Sequence, residues 1–197
     1  MTTKAEKTTA YIIKTVAPVF NKKGYVGTSM SDLTDATGLT KGALYGNFEN
    51  KEALALAAFE HNRNHLLQAL EERLSVEGTS MDKIFGLISF YKNYHIFTQG
   101  MGGCPILNVG MDAQAHNPLL AAAAKETLRE VEGKIALVLE NGVNAQEFRI
   151  GVTPLQFAKQ LFTIIQGAVA MASITKDHKY LGNSMAYLQV LVKQELK

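Results

Sequence analysis

The chain has 197 residues, of which 47% are hydrophobic and 19% are charged, and its formal net charge at pH 7 is +2. This balance is typical of a folded protein with a sizeable core and excludes a globally disordered chain. With one cysteine, Cys104, the chain can form neither an intrachain disulfide nor a cysteine-rich zinc site, so we expect a cytoplasmic protein. We expect no membrane span, because charges such as Lys92 and Lys159 interrupt the apolar segments. We expect no secretory signal, because the N-terminal segment "MTTKAEKTTAYIIK" lacks a continuous apolar core.

Positive charge is concentrated at the N-terminal end of the chain. Residues 1–51 contain seven lysines against four acidic residues, an excess of three positive charges, whereas the rest carries a net charge of −1. An excess of this size is compatible with a polyanionic partner, although it also occurs in proteins that bind none.

The N-terminal segment begins with two predicted helices. Apolar residues at helical spacing predict the first helix from Thr3 to Phe20, with a kink or a strained last turn at Pro18 because proline removes a backbone hydrogen bond. Thr28 or Ser29 can cap the second helix, and Gly38 can end it after about two turns.

A third short helix and a long fourth helix follow. Thr40 can cap the third helix, Gly46 or Asn47 can end it, and Asn50 can cap the run "KEALALAAFEHNRNHLLQALEERL". Three short helices with a tight turn between the second and third are the layout of a helix-turn-helix domain, which we place at residues 1–50.

The remaining chain, residues 51–197, predicts a larger helical domain. Helical patterns cover "SMDKIFGLISFYKNYHIFT", "CPILNVGMDAQA" and "NPLLAAAAKETLREVEGKIALVLENG", and two more helices run from Thr153 to about Thr175 and from about Lys179 to Glu195. No alternating strand pattern is long enough to indicate a sheet. The sequence therefore predicts an all-α fold.

The segment "GLTKGALYGNFENKEAL" places glycines at 38, 42 and 46 and allows three interpretations. A nucleotide-binding loop is disfavoured because neither known glycine spacing occurs and no strand precedes it. A packing helix explains Leu39, Leu44 and Phe48, which would face inward. An anion-binding helix explains the remaining residues, since Gly42 would let a phosphate backbone come close and Lys41 and Tyr45 could bind it.

The run "GYVGTSMSDLTDATGLTKGALYGNFENKEAL", from Gly24 to Leu54, resembles the DNA-binding signature of the TetR family of bacterial transcriptional regulators. The resemblance implies a homodimer that binds double-stranded, palindromic operator DNA, most often as a repressor, and that is released by a small-molecule inducer. It further implies that the third helix is the recognition helix. The DNA-contacting positions that it implies are Thr28, Ser29, Thr40, Lys41, Gly42, Tyr45, Asn47 and Lys51.

The same resemblance implies that the larger domain binds the inducer and that its last two helices form the dimer interface. The small residues Gly167, Ala168, Ala170, Ala172 and Ser173 are compatible with close contact between helices, although a monomer core could also explain them. Aromatic, soft and polar residues in predicted core helices are candidates for the ligand pocket. They are Tyr91, Tyr94, His95, Phe97, Cys104, Asn108, Met111, Phe162 and Gln166.

Cys104 allows two further hypotheses. It lies at the expected start of a helix, where the positive helix end favours a reactive thiolate, so it could sense electrophiles or oxidants; alternatively it is a small buried residue. A helical ligand-binding or thiol-dependent enzyme is the hypothesis of a different class. We expect no enzyme activity, no cofactor and no metal, because no carboxylate and histidine set has the spacing of a metal site.

Overall fold

The computed structural model describes residues 3–197 and, over those residues, consists of helices joined by short loops. The α-helices are α1 (Lys4–Gly27), α2 (Met30–Thr37), α3 (Lys41–Tyr45), α4 (Lys51–Leu74), α5 (Ser80–Lys92), α6 (Tyr94–Thr98), α7 (Pro105–Ala113), α8 (Pro118–Asn144), α9 (Pro154–Thr175) and α10 (Lys179–Glu195), with a 3-10 turn at Gln99–Met101. No strand is present in the described part of the chain. The predicted all-α fold is confirmed.

The chain divides into two compact units. Unit 1 contains the described residues up to Leu66 together with Thr98–Thr127, and unit 2 contains Leu67–Phe97 and Leu128–Lys197. Unit 1 is thus larger than the predicted DNA-binding domain, because α7 and the start of α8 pack with the N-terminal helices. The functional division at residue 50 stays a prediction.

Helix α1 differs from the expectation at its proline. Pro18 lies within regular helix, and the interruption comes later, at Gly24, whose backbone adopts φ 75° and ψ 171°. The backbone break that was predicted at Pro18, as a kink or a strained last turn, thus lies six residues later. Glycine tolerates this positive φ at little cost, so the chain turns at Gly24 and continues to Gly27.

A second difference concerns the segment predicted as one helix after Gly78. The structure splits it into α5 and α6 at Asn93, whose backbone (φ −112°, ψ 21°) leaves the helical region. The Asn93 N–H donates to the carbonyls of Phe90 and Tyr91 rather than to the carbonyl four residues earlier, so the α-helical hydrogen bonds end there.

Each unit has its own buried core. The core of unit 1 includes Ile12, Val16, Leu33, Leu44 and Leu54. Fully buried residues of unit 2 include Ile84, Leu87, Ile135, Leu139, Ile165 and Leu188.

Among residues 3–197, one helix is long and apolar enough to cross a membrane by length and composition. This is α9, and 44% of its most apolar window is buried inside the protein. No such segment was expected from the sequence, so α9 departs from that expectation by length and composition. Core helices of soluble proteins have the same composition.

Candidate nucleic-acid interface

Helix α2 begins with a reciprocal cap. The Ser29 hydroxyl accepts a bond from the Asp32 N–H at 3.1 Å, and the Asp32 carboxylate accepts one from the Ser29 N–H at 2.8 Å. A hydrogen bond from the Lys23 ammonium, followed by the bonds from Ser29, lowers the pKa of Asp32 to about 2. The predicted capping role of Ser29 is confirmed, and it anchors the start of the helix-turn-helix.

The turn between α2 and α3 is fixed by Gly38 and Thr37. Gly38 has φ 66° and donates its N–H to the Thr34 carbonyl, which ends α2. The buried Thr37 hydroxyl accepts a bond from the Leu39 N–H at 3.3 Å, and the Thr37 carbonyl accepts one from the Tyr11 hydroxyl at 3.0 Å. Helix α1 therefore stabilises the turn through the hydrogen bond of Tyr11.

Helix α3 has an inward and an outward side. Leu44 is 1% exposed and anchors the helix in the core, while the Thr40 hydroxyl caps its start by accepting from the Ala43 N–H at 3.2 Å. Lys41 and Tyr45 are exposed, and the Lys41 ammonium lies 5.8 Å from the centre of the Tyr45 ring. A cation and a phenol hydroxyl on one exposed helix are suited to phosphate and base contacts.

Gly42 has no internal reason to be glycine. A Cβ added there would find its nearest neighbour, the Thr40 hydroxyl, at 3.9 Å, which is ordinary contact. Alanine would be the better helix former at this position. The missing side chain leaves the backbone of α3 open to an approaching partner.

Two of the predicted phosphate ligands are engaged inside the protein. The Thr28 side chain is fully buried and its hydroxyl donates to the Gly24 carbonyl at 2.6 Å. The Asn47 amide donates to the Ala43 carbonyl at 2.9 Å and accepts from the Thr9 hydroxyl at 2.8 Å, which ties the end of α3 to α1.

Lys51, the first residue of α4, is held by Tyr25. Its ammonium donates to the Tyr25 carbonyl at 2.7 Å and lies 4.5 Å from the centre of the Tyr25 ring. Burial lowers the pKa of Lys51, while the negative charges of Asp112 and Asp32 oppose that shift. One of the three ammonium protons is used by Tyr25, so two can bind an anion.

Sequence reasoning missed the residues of α7 that hold α1. The Asp112 carboxylate accepts the Tyr25 N–H at 2.7 Å, and the Asn108 amide donates to the Asn21 carbonyl at 2.9 Å. The Asn21 amide in turn donates to the carbonyls of Met101 and Gly103 at 2.7 and 2.8 Å. Partners 80 or more residues apart leave no local signal in one sequence.

The predicted ligand residues fall into both units. Six of the nine belong to unit 2, whereas Cys104, Asn108 and Met111 belong to unit 1, because the chain leaves unit 2 after Phe97. The expectation that Met111 lies in the core is wrong, since its side chain is 74% exposed. Asn108 serves the contact between α7 and α1, and Cys104 is 3% exposed at the start of α7.

Four of the six residues in unit 2 form an aromatic cluster. Tyr91 and Tyr94 have ring centres 4.7 Å apart, Tyr94 stacks on Phe97 at 5.8 Å, and Phe162 meets Tyr91 edge-on at 6.0 Å. Gln166 follows Phe162 by one turn of α9, and the His95 ring stacks on that of His178 at 3.8 Å. Aromatic walls with a few polar groups are the usual lining of a small-molecule site.

Helices α9 and α10 carry exposed apolar residues. Met171 and Ile174 on α9 are 42% and 72% exposed, and Tyr187 and Val190 on α10 are 59% and 53% exposed. Of the small residues predicted for helix contact, Gly167 and Ser173 are exposed and Ala170 is half-buried, whereas Ala168 and Ala172 are buried in the core of unit 2.

Comparison with known proteins identifies both parts of the chain. Residues 12–58 match the family described as "Bacterial regulatory proteins, tetR family", and residues 80–188 match "Tetracyclin repressor-like, C-terminal domain". The crystal structure of a TetR family transcriptional regulator from Cytophaga hutchinsonii superimposes with a TM-score of 0.91 at 33% identity, covering 100% of this chain and 98% of that one.

Two further relatives agree with this match. A TetR transcriptional regulator from Chloroflexus aurantiacus superimposes with a TM-score of 0.92 at 30% identity over 98% of both chains. The HTH-type transcriptional repressor NemR of Escherichia coli is 25% identical over 186 residues, which are 94% of both proteins. The chain therefore belongs to the TetR family of DNA-binding transcriptional regulators.

Proposed function

We propose that this protein is a cytoplasmic repressor that binds a palindromic operator as a homodimer and leaves it when a small molecule binds unit 2. Two copies of α3 would enter successive major grooves, which requires a separation of roughly 34 to 36 Å. A ligand that binds the wider-spaced state better would shift the population away from DNA.

The observation that carries the proposal is the open backbone of α3 at Gly42. Its neighbours Lys41 and Tyr45 are exposed, and nothing within the protein would obstruct a side chain there. An otherwise unfavourable glycine on an exposed helix is explained if a DNA backbone approaches it closely.

The Gly42→Ala variant separates DNA binding from folding. We expect it to raise the free energy of unfolding by about 0.5 to 1 kcal/mol, because alanine is the better helix former, and to weaken duplex binding at least about tenfold through contact of the methyl group. The probes for fluorescence anisotropy are DNA duplexes that the protein selects from fragments of the genome that encodes it. Unchanged affinity for these duplexes would remove α3 from the interface.

The Lys41→Ala variant tests base recognition. We expect it to change which duplexes are selected, because lysine at this position can reach guanine edges in the major groove. Lys51→Ala is the matched control, since a phosphate contact should weaken all duplexes alike and reduce the salt slope by about one unit per subunit. If both variants weaken every duplex equally, Lys41 contacts only the backbone.

The dimer part of the proposal is supported by the exposed apolar residues of α9 and α10. Ile174→Glu should convert the dimer to a monomer, because it would bury a charge in the dimer interface. Sedimentation at micromolar concentration measures this change. Leu119→Glu, at a 54% exposed position on α8, is the control. A monomeric wild-type protein would contradict the dimer.

The ligand part of the proposal places the small molecule among Tyr91, Tyr94, Phe97 and Phe162, with His95 and Gln166 as polar anchors. A compound with an apolar body and one polar group should raise the unfolding midpoint and release the selected duplex. Both effects should disappear in Gln166→Leu and persist in Gln160→Leu, whose site is exposed on the same helix.

Thiol sensing through Cys104 is a second candidate. The observation in its favour is that Cys104 precedes Pro105 at the first turn of α7, where backbone N–H groups stabilise a thiolate. Its burial opposes easy access. Treatment with a mild electrophile should release DNA from wild-type protein and leave Cys104→Ser bound; equal release from both would eliminate this candidate.

A further inference from the structure

The two backbone polar groups of Tyr25, its N–H and its carbonyl, are each bound by a charged side chain of a distant helix. The Asp112 carboxylate of α7 accepts the Tyr25 N–H at 2.7 Å, and the Lys51 ammonium of α4 donates to the Tyr25 carbonyl at 2.7 Å. All three residues belong to unit 1.

The backbone next to Tyr25 is built to receive the carboxylate. Gly24 adopts a positive φ of 75°, and a Cβ there would overlap with the Asp112 carboxylate. The buried Thr28 hydroxyl donates to the Gly24 carbonyl at 2.6 Å and fixes the other end of the same turn. Asp112 thus occupies a space that only glycine leaves open, and it restrains the backbone of Tyr25 on the N-terminal side of its Cα.

The Tyr25 carbonyl and ring in turn determine where the Lys51 ammonium lies. A lysine side chain that is free to move loses rotamer entropy when it binds a phosphate. One that is already held on a carbonyl and an aromatic face loses less, and it keeps two protons for an anion. Preorganisation of Lys51 therefore favours DNA binding.

We propose that Asp112 is a positioning residue for DNA binding: by restraining the backbone of Tyr25 it holds the Lys51 ammonium where it contacts a phosphate. The inference rests on the proposed DNA-binding function. It follows that a displacement of α7 changes the affinity for DNA without any change in α3.

The sign of the effect distinguishes this proposal from simple electrostatics. Removal of an acidic side chain from a DNA-binding unit ordinarily strengthens binding, because repulsion between the protein and the phosphates decreases. Asp35→Ala, at an exposed position on α2, should follow that rule. Asp112→Ala should weaken binding of the selected duplex about fivefold instead, as expected for loss of one hydrogen bond that orders Lys51.

A double-mutant cycle with Lys51→Ala provides the decisive measurement. Affinities are measured by fluorescence anisotropy over a range of salt concentrations, with circular dichroism to verify folding. In the Lys51→Ala background, Asp112→Ala should no longer weaken binding, because its route to DNA through Lys51 is already removed and only the loss of repulsion remains. Asp112→Asn should bind like wild type, since its amide oxygen still accepts the Tyr25 N–H.

Three results would overturn the proposal: stronger binding by Asp112→Ala, an equal loss with Lys51 present or absent, or a loss in Asp112→Asn as large as in Asp112→Ala. If Asp112→Ala does not fold, Asp112→Ser, whose side chain is too short to reach Tyr25, takes its place in the cycle. Absence of duplex binding by wild-type protein would instead contradict the DNA-binding function itself.

Discussion

Aromatic contacts distinguish unit 2 from unit 1, whereas long-range bonds between side chains and backbone occur in both units. In unit 2 the Glu147 carboxylate accepts the Ser80 N–H at 2.7 Å. In unit 1, side chains bind the backbone of distant segments: Tyr11 donates to the Thr37 carbonyl, Asn62 to that of Ala17, and Asn21 to those of Met101 and Gly103. In unit 2, aromatic rings contact one another, with Phe90 edge-on to Tyr91 at 5.2 Å and to Phe97 at 5.0 Å.

This difference corresponds to the two tasks of the family. Side chain to backbone hydrogen bonds are directional and keep short helices such as α3 at a fixed angle, which a protein that matches DNA grooves requires. Contacts between rings are less directional, so they allow a core to rearrange around a ligand. The predictions below test whether the two units respond to substitution as this difference requires.

The largest effect is expected from truncation of the aromatic cluster. Phe162→Ala should lower the free energy of unfolding by about 3 to 5 kcal/mol, since Phe162 is 1% exposed and its removal leaves a cavity. Leu155→Ala, at a 46% exposed position of the same helix, should cost far less. Urea unfolding measures both, and equal losses would show that the cluster contributes no more than surface packing.

A smaller loss is expected in unit 1. Asn21→Ala removes two hydrogen bonds from a residue that is 3% exposed, so we expect a loss of about 1 to 3 kcal/mol. Asn183→Ala, on the exposed side of α10, is the matched control. A loss no greater than that of the control would mean that these bonds do not stabilise unit 1, and the comparison of the two units would fail.

The sequence predicted those parts of the fold that depend on neighbouring residues. Ser29, Thr40 and Asn50 cap the helices that they were expected to cap, and Gly38 ends α2, because capping joins a side chain to an N–H group two or three residues away. The helix-turn-helix could therefore be read from about 30 residues.

Long-range contacts could not be predicted in the same way. Asp112 meets Tyr25 across 87 residues, and Met111, its neighbour in the chain, is exposed although the apolar pattern of α7 favoured burial. Pro18 was expected to bend α1, yet tertiary packing keeps it within the helix and the turn occurs at Gly24. Propensity fixes local structure only where packing does not override it.

The glycines at the two ends of the recognition segment should respond to alanine in opposite directions. Neither position is crowded, since a Cβ at Gly38 meets nothing within 4 Å and one at Gly46 meets the Gly42 carbonyl at 3.4 Å. Gly38 has φ 66°, so Gly38→Ala should destabilise by about 1 kcal/mol. Gly46 has φ −72°, so Gly46→Ala should stabilise by about 0.5 kcal/mol. Thermal unfolding that shifts both variants in one direction would contradict this assignment.

The smallest effect is expected for the stacked imidazole rings of His95 and His178 in unit 2. Unlike the phenyl and phenol rings of the aromatic cluster, these rings can take up a proton near neutral pH. Burial, followed by the charge of His178, lowers the pKa of His95 from its ordinary value of 6.5. The unfolded chain therefore takes up this proton more readily than the folded one, and the stability that the pair contributes is complete above pH 6.5 and is lost as the pH falls below it. His95→Phe keeps an aromatic ring without a titrating group, so its unfolding midpoint relative to wild type should rise steadily from pH 7 to pH 5. If the difference between the two unfolding midpoints does not change with pH, His95 contributes to stability as a non-titrating ring does.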